Sequence, residues 1–312
     1  MATPARMEKK IAVVITYKPF YFLTKICLAS IRYYYPDAEL YIVKDLLAGE
    51  FDTSELEQAM GVKELDLGHQ KYGLSAAKVH LLASDKFAGQ RVLSLDCDIV
   101  LAGRFLDELY EQTAGADFVL NPDYVLQPTE AQFGQHYYDM ATVKKLDPAF
   151  VYPGYVFNGG QAIIKTGIVA GELLAPFFDV DTFPYYRRRD VLPHADQSML
   201  NYLLPKLEQE GKLTIAPVEF MWWSDGQEVK SISLEKVKAG TAYKHLIHWA
   251  GVTRVANIDK MTRPDILNFF QDFYYSKVPL GGLKKQLHMA QARADYFLRN
   301  VYRTTLKSLL KR

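Results

Sequence analysis

Cysteine is scarce in this sequence, with Cys27 and Cys97 the only two among 312 residues. Two thiols cannot build the disulfide framework of a small secreted domain, so a reducing compartment fits best. Long apolar runs are also lacking, because no stretch approaches the roughly 18 to 20 residues that a membrane-spanning helix needs. The opening residues show no small-residue cleavage site of a secretory signal. These absences predict a cytoplasmic protein.

Net charge is also small, +1 from 37 Lys and Arg and 36 Asp and Glu. The charges are unevenly spread, however, because residues 284–312 carry eight basic residues and one acid, which leaves 29 basic and 35 acidic residues for the rest of the chain. An acidic body with a basic end is typical of a chain that meets a membrane or a nucleic acid. Nucleic acid is disfavoured, since the acidic body would repel it.

Apolar runs alternate with helical periodicity along the chain, without internal repeats or low-complexity tracts. Residues 11–16 are a β-branched run typical of a strand buried on both faces, a helix is predicted from about 21 to 35, and the run AELYIVKD follows. This order predicts a βαβ unit with a parallel sheet, and hence an α/β fold. Further helices are predicted over residues 75–87, 105–113, 167–178 and 196–209, and further strands over RVLSLDCDIV, ADFVLN, FNGGQAIIK, LTIAPVEFMWW and YKHLIHWAG. Residues 127–155 are predicted to form an inserted loop region with short helices that covers a site.

Two carboxylates stand at the end of one apolar run. In VLSLDCDIV, alternation along an extended backbone places Asp96 and Asp98 on the same side, where both can reach one hard cation. His248 ends another apolar run, and two carboxylates with one imidazole are more typical of Mn²⁺ than of Ca²⁺. The alternatives are that the two Asp merely end a strand and that His245 and His248 are core or surface histidines.

Two further segments carry polar side chains suited to a ligand. In FNGGQAII, Asn158 precedes Gly159 and a second glycine, which lets the backbone approach a ligand closely. In HADQSMLNYLL, Asp196 and Gln197 stand at the start of a predicted helix. The ordinary alternative for Asp196 is a helix N-cap.

The motif order Lys78, LDCD, FNGG, ADQSMLN and HWAGVTR resembles the GT-A glycosyltransferases, most closely glycosyltransferase family 8. The resemblance covers about residues 10–255. It implies a GT-A fold, which is a Rossmann-like mixed, mainly parallel sheet with flanking helices, over residues 1–280. Residues 281–312 are then a basic amphipathic helical extension.

The resemblance also implies a metal site and a donor site. Asp96, Asp98 and His248 match ligands of a divalent metal, Mn²⁺ or Mg²⁺, that bridges the phosphates of a nucleotide-sugar, usually a UDP-sugar. Lys78 matches a basic residue near the donor's sugar and phosphate. Arg254 stands where the family usually has a pyrophosphate-binding Lys before Pro-Trp, whereas this chain continues with Val and Ala.

Other positions match the surroundings of the sugar and the base. Asn158, Gly159, Asp196 and Gln197 are expected around the transferred sugar, while Thr16 and Tyr17 are expected near the base and ribose, with Asp45 as a weaker candidate. The family retains the anomeric configuration, with Gln197 or Asp196 supporting an oxocarbenium-like centre. Front-face and double-displacement routes both stay open.

The resemblance implies a glycan or lipid-linked glycan acceptor, in bacterial surface polysaccharide assembly. Trp222 and Trp223 are candidates for stacking on an acceptor sugar, although buried Trp is commoner. Two alternatives to a transferase are a nucleotidyltransferase that makes nucleotide-sugars and a non-catalytic membrane-associated scaffold. The first would need a Gly-rich basic loop after IAVVIT, and the second predicts loss of the metal ligands; the sequence shows neither.

The basic end has helical periodicity. The basic residues of one face are Arg299, Arg303, Lys307 and Lys311, and the apolar residues of another are Leu287, Ala290, Ala294, Leu298 and Val301. A basic amphipathic helix favours binding to anionic lipid, so residues 284–312 are predicted to hold the protein on the inner face of the cytoplasmic membrane. The alternative is a terminal helix that packs on the body or forms a dimer interface.

Overall fold

The computed structural model describes residues 10–87, 89–125, 127–251 and 257–301. The strands in this part of the chain are Ile11–Tyr17 (β1), Glu39–Asp45 (β2), Val62–Glu64 (β3), Arg91–Asp96 (β4), Ile99–Leu101 (β5), Phe118–Asp123 (β6), Val156–Lys165 (β7), Ile215–Pro217 (β8), Met221–Trp223 (β9) and Leu246–His248 (β10). The helices are Tyr21–Tyr34 (α1), Ser54–Met60 (α2), Ala76–Ala83 (α3), Leu106–Gln112 (α4), Ala131–His136 (α5), Met140–Leu146 (α6), Ala195–Gln209 (α7), Gln227–Ser231 (α8), Leu234–Ala239 (α9), Pro264–Ser276 (α10) and Gly281–Val301 (α11). Short 3₁₀ turns cover Lys18–Phe20, Leu46–Ala48, Gly171–Leu173 and Ile258–Lys260.

A seven-stranded sheet forms the centre, in the order β3-β2-β1-β4-β7-β6-β8. All neighbouring pairs are parallel except those that β7 makes with β4 and β6. Alternate residues of β1 enter two separate cores: Val14 packs with α1 and α10, and Val13 packs with α3 and α7. Burial on both faces explains why the first strand is a continuous apolar run, and the predicted mixed, mainly parallel α/β sheet is confirmed.

A smaller sheet of order β5-β10-β9 lies beside the large one. The predicted strand RVLSLDCDIV is in fact two strands, since β4 ends at Asp96 in the large sheet and β5 begins at Ile99 in the small one. LTIAPVEFMWW is likewise divided between β8 of the large sheet and β9 of the small one. The dipeptide Cys97-Asp98 is a turn where the chain changes sheets.

The helix predicted over residues 167–178 was wrong. Only a 3₁₀ turn, Gly171–Leu173, forms there. Gly167 and Gly171 both have positive φ, 80° and 53°, and so lie outside the right-handed helical region. Residues 127–155 contain the short helices α5 and α6, as predicted. Their aromatic side chains Tyr137 and Tyr138 are buried in the core that faces α3 and α7.

The helix α11 begins at Gly281 and packs against the body on one side. Lys284 pairs with Glu55 at 2.7 Å, Lys285 pairs with Asp272 at 2.6 Å, and Arg293 pairs with Asp259 at 3.0 Å. For residues 281–301, the predicted alternative of a helix that packs on the body is therefore correct. Within the described ranges, no helix is both long and apolar enough to cross a membrane. Residues 302–312 of the predicted basic helix lie outside the described residues.

Glu55 of α2 is the anchor of this packing. Burial by itself would raise its pKa, but hydrogen bonds from Lys284 and Tyr274 and the charge of Lys25 outweigh burial and lower the pKa to about 2. The folded pKa lies below the ordinary value, so the stabilisation is present at neutral pH and is lost as the pH falls from about 4.5 towards 2.

Replacing Glu55 with glutamine is expected to destabilise the protein at pH 7 by about 1 to 3 kcal/mol, because three charged or polar partners lose an ionic acceptor. The difference from wild type should shrink as the pH approaches 2. Thermal unfolding across this pH range measures both the destabilisation at pH 7 and its decrease towards pH 2. Hydrogen exchange over residues 281–301 should also accelerate in the variant. Glu64→Gln is the control, since among the described residues the Glu64 side chain pairs with Lys44 alone, at an exposed position. Equal protection of α11 in the wild type and in Glu55→Gln would contradict the anchoring role.

Candidate active site

One edge of the large sheet collects most of the predicted site residues. β1 and β4 end there, and because β7 is antiparallel to β4, its beginning lies at the same edge. The helices α3 and α7 also begin nearby. Together they enclose a cavity of about 320 Å³. Its lining residues are Ile15, Tyr17, Phe20, Leu74, Ser75, Lys78, Asp96, Cys97, Asp98, Asn158, Gly160, Asp196 and Gln197.

Asp96, Asp98 and His248 form a cluster in this region, each offering one ligand atom, and these atoms lie within 4.8 Å of one another. Asp98 Oδ1 is 3.2 Å from His248 Nε2. The pairing of β10 with β5 places His248 opposite Ile99, directly after the Asp98 turn. The Trp249 backbone N–H donates to the Asp98 carbonyl at 2.9 Å and fixes the turn against β10.

The cluster fits a divalent metal. Asp98 Oδ1 is buried and, although His248 Nε2 lies 3.2 Å away, it accepts no hydrogen bond of good geometry from the described residues. A buried carboxylate oxygen is costly unless it is paired or coordinated. Two half-buried carboxylates and the His248 imidazole, which is only 3% exposed, are an oxygen and nitrogen donor set that Mn²⁺ or Mg²⁺ accepts. The expectation that Asp96 and Asp98 share one side of an extended strand was wrong in detail, since it is the turn at Asp98 that directs both towards His248.

Lys78 of α3 connects this cluster to α7. Its Nζ lies 2.9 Å from Asp96 Oδ1 and 3.2 Å from Asp196 Oδ2, and it donates to the Gly159 carbonyl at 3.0 Å. Burial by itself would lower the pKa of Lys78, but the carboxylates of Asp196 and Asp96 outweigh burial and raise it. Lys78 is therefore a fixed cation between two carboxylates at neutral pH.

The Gly159-Gly160 pair is where β7 passes closest to these side chains. A Cβ on Gly160 would lie 2.7 Å from Asn158 Oδ1, 2.7 Å from His248 Cε1 and 3.0 Å from Asp96 Oδ2. A Cβ at these distances would displace the three side chains, so glycine at this position lets Asn158, His248 and Asp96 come together. Asn158 Oδ1 accepts from the Gly160 N–H at 2.8 Å. The sequence predicted glycines here so that the backbone could approach a ligand. The packing of neighbouring side chains against this backbone is a second reason for glycine.

Asp196 and Gln197 lie in the first turn of α7. The N-cap of α7 is His194, so the alternative of an N-cap role for Asp196 was wrong. Gln197 Oε1 accepts from the Gly159 N–H at 2.9 Å. Sequence reasoning missed Asn201, whose side chain bonds the Phe157 N–H and carbonyl, both at 2.8 Å, and joins α7 to β7. The signal was its i+4 spacing from Gln197, which places both on one helix face.

Several predicted residues lie elsewhere. Tyr17 lines the cavity, but the Thr16 side chain is buried and bonds to Thr24 at 2.6 Å between hydroxyl oxygens, so the structure does not bring it to the cavity. Asp45 is fully buried and accepts from the backbone N–H groups of Leu47, Tyr72 and Leu74. Its carboxylate is occupied in fixing the loop before α3. Arg254 lies outside the described residues.

Trp222 and Trp223 differ in exposure. Trp222 is half-buried and stacks on His245 at 3.7 Å between ring centroids. Trp223 is 41% exposed and stacks on His248 at 5.2 Å. The structure thus places the more exposed indole, that of Trp223, beside His248, and the half-buried indole of Trp222 against His245.

No family model matches the chain, and neither does any curated protein sequence. Among solved structures, the bifunctional glycosyltransferase WbbM in its apo form is similar over 91% of this chain, with 13% identity and a TM-score of 0.58. This chain spans 52% of that WbbM chain. Galactosyltransferase LgtC, in complex with donor and acceptor sugar analogs, is similar over 85% of this chain and 95% of its own, with 13% identity and a TM-score of 0.53. Likeness at this identity establishes the fold, and this chain has the GT-A architecture that its motifs predicted.

Proposed function

We propose that this protein is a metal-dependent retaining glycosyltransferase that transfers a sugar from a nucleotide-sugar, in particular a UDP-sugar, to a glycan or lipid-linked glycan acceptor. The observation that carries the proposal is the Asp96, Asp98 and His248 cluster beside a cavity at the sheet edge, with Lys78 held against it. The glycosyltransferases with similar folds support the same class of reaction. The intact ligand set argues against a scaffold without activity.

The charged and polar residues of the metal cluster, α3 and α7 have distinct parts in the proposed reaction. The bond from the sugar C1 to the leaving phosphate breaks, the acceptor hydroxyl oxygen bonds C1 on the same face, and the hydroxyl proton passes to the leaving phosphate. A divalent metal held by the cluster would supply Lewis-acid stabilisation of the diphosphate. Lys78 adds a fixed positive charge without reorganisation, because two carboxylates already hold it. Gln197 and Asp196, on the first turn of α7, stabilise the positive charge that develops on the sugar.

A panel of nucleotide-sugars, each with and without Mn²⁺, tests this proposal through donor hydrolysis and thermal shift. We expect one or a few UDP-sugars to be hydrolysed slowly and to raise the unfolding temperature only when metal is present. Release of pyrophosphate from UTP and a sugar 1-phosphate would instead indicate the nucleotidyltransferase alternative. Failure of every nucleotide-sugar to bind or react in the presence of Mn²⁺ or Mg²⁺ would refute the proposal.

We also propose that α11 places the enzyme on an anionic membrane surface, at the inner face of the cytoplasmic membrane and in surface polysaccharide assembly. The support is an apolar face directed away from the body. Its exposed residues are Leu283, Leu287, Phe297 and Leu298, at 56%, 60%, 65% and 63% exposure, and Leu280, directly before the helix, is 75% exposed. Apolar side chains in solvent beside a basic segment are typical of interfacial helices.

Replacing both Leu283 and Leu287 with glutamate is expected to lower partition onto phosphatidylglycerol vesicles by at least about tenfold, since burial of each leucine contributes about 1.5 to 3 kcal/mol. Vesicle sedimentation measures the partition, and donor hydrolysis should not change. Leu47→Glu is the control for adding a charge at an exposed leucine, because Leu47 is 49% exposed and lies in the 3₁₀ turn Leu46–Ala48 and not on α11. Unchanged partition, together with a dimer-to-monomer change in sedimentation velocity, would assign the face to self-association instead.

A further inference from the structure

Trp223 is a large aromatic side chain that stays exposed beside the metal cluster. In the described part of the chain, the only ring that contacts it is that of His248, which lies nearly parallel at an interplanar angle of 25°. One face of the indole is therefore covered by a metal-cluster residue. Most Trp side chains bury their large apolar area, and the contacts among the described residues give no packing reason for 41% exposure at this position.

The indole is held in place by its backbone. β9 pairs in parallel with β10, and Trp223 lies in register with His248. Directly afterwards, the Ser224 N–H donates to the His248 carbonyl at 3.0 Å, and the Gly226 N–H donates to the Trp223 carbonyl at 2.9 Å. The backbone pairing fixes the main chain at Trp223 and the stacking on His248 restricts the indole, so a ligand that stacks on the indole orders little more of the protein.

The position of β9 separates Trp223 from the nucleotide end of the cavity. Asn121 of β6 accepts hydrogen bonds from the backbone N–H groups of Phe220 and Met221, at 2.7 and 2.8 Å, and so ties β9 to β6. In the large sheet β7 lies between β4 and β6. β1, which ends at Tyr17, adjoins β4 on its other side. Trp223 thus lies on the side of the metal cluster away from β1.

We propose that the exposed face of Trp223 is the platform for a pyranose ring of the acceptor. The C–H groups on one face of a pyranose carry partial positive charge and pack on the negative π-face of an indole. Asp225 and Gln227, both exposed in the segment that follows, offer acceptor and donor atoms for the ring hydroxyls. The inference rests on the proposed function, since a glycan bound here lies next to the metal cluster.

The test measures saccharide binding separately from donor chemistry. Saturation-transfer NMR with methyl β-galactoside, methyl β-glucoside and methyl β-N-acetylglucosaminide, in the presence of UDP and Mn²⁺, should show contact with the sugar C–H groups of at least one glycoside. Trp223→Ala is expected to weaken that binding about tenfold, and Trp223→Phe to preserve most of it. Trp222→Phe is the matched control and should bind as wild type does. Mn²⁺ affinity and hydrolysis of the donor without acceptor are measured in parallel, and in Trp223→Ala the saccharide affinity is expected to fall by a larger factor than either of them.

Absence of saccharide binding in the wild type, or equal binding by Trp223→Ala, overturns the inference. A Trp223→Ala variant whose Mn²⁺ affinity and donor hydrolysis fall in parallel with saccharide binding also overturns it, because Trp223 then acts by supporting His248. Donor hydrolysis by the wild type is the separate test of the proposed function. A platform without hydrolysis would mean that the protein binds glycans but does not transfer the sugars tested.

Discussion

Replacing Asp98 with asparagine is expected to lower metal-dependent donor hydrolysis by about 10² to 10³-fold, the loss that follows removal of one fixed charge-stabilising group. The amide keeps the shape of the side chain but removes the charge from the oxygen that faces His248 Nε2 at 3.2 Å. It therefore weakens metal binding without opening a cavity. Mn²⁺ titration followed by isothermal calorimetry, together with hydrolysis at saturating donor, separates the loss of metal from the loss of catalysis.

The matched control is Asp37→Asn, which removes one negative charge at an exposed position. It should leave both Mn²⁺ affinity and hydrolysis as in the wild type. If Asp98→Asn bound Mn²⁺ and hydrolysed the donor at the wild-type rate, the cluster would not be a metal site, and the proposed function would lose its main support.

Replacing Lys78 with methionine is expected to affect both stability and activity. The change leaves Asp96 and Asp196 without the cation between them, and loss of one partner from a buried ion pair costs about 3 to 5 kcal/mol. Because a divalent cation neutralises Asp96 in its own right, the unfolding temperature should fall more in EDTA than in Mn²⁺. Donor hydrolysis is expected to fall by about 10² to 10³-fold, since a fixed charge beside the diphosphate is gone.

Two further variants define the role of Lys78. Lys78→Arg keeps the charge but carries a planar guanidinium, so it should recover most of the stability and only part of the activity. Lys86→Met, at an exposed position, is the control for the loss of one lysine and should change neither quantity. Unfolding temperatures of Lys78→Met that fell equally in EDTA and in Mn²⁺ would show that Lys78 and the metal do not share Asp96.

The local pattern of the sequence was enough to predict the strand β1 and the helix α7, which lie next to the site. The run IAVVIT predicted a strand buried on both faces, and helix 196–209 was predicted within one residue of Ala195–Gln209. These predictions succeed because apolar periodicity reports which faces of an element are buried. The pair Asp96 and Asp98 was identified for a related reason, since charged residues that interrupt an apolar run need a partner or solvent.

Contacts between residues far apart in the sequence decided how the site residues come together. RVLSLDCDIV has the pattern of one strand, and only the pairing of β5 with β10 shows that it turns at Cys97-Asp98 into a second sheet and brings His248 to the carboxylates. The contacts of Lys78 with Asp96 and Asp196 depend in the same way on how α3 and α7 pack, which no local propensity encodes.

The sequence by itself thus determined the fold class and the uneven distribution of charge, and it identified Asp96, Asp98 and His248 as candidates for a metal site. The tertiary structure decided which side chains meet. It buried Thr16 and Asp45 inside the body, held one side of α11 through Glu55, and left Trp223 exposed beside His248. The physical reason is that the residue pattern within one helix or strand shows which of its faces is buried. Contacts between elements depend instead on strand order and helix packing, which form only when the whole chain is compact.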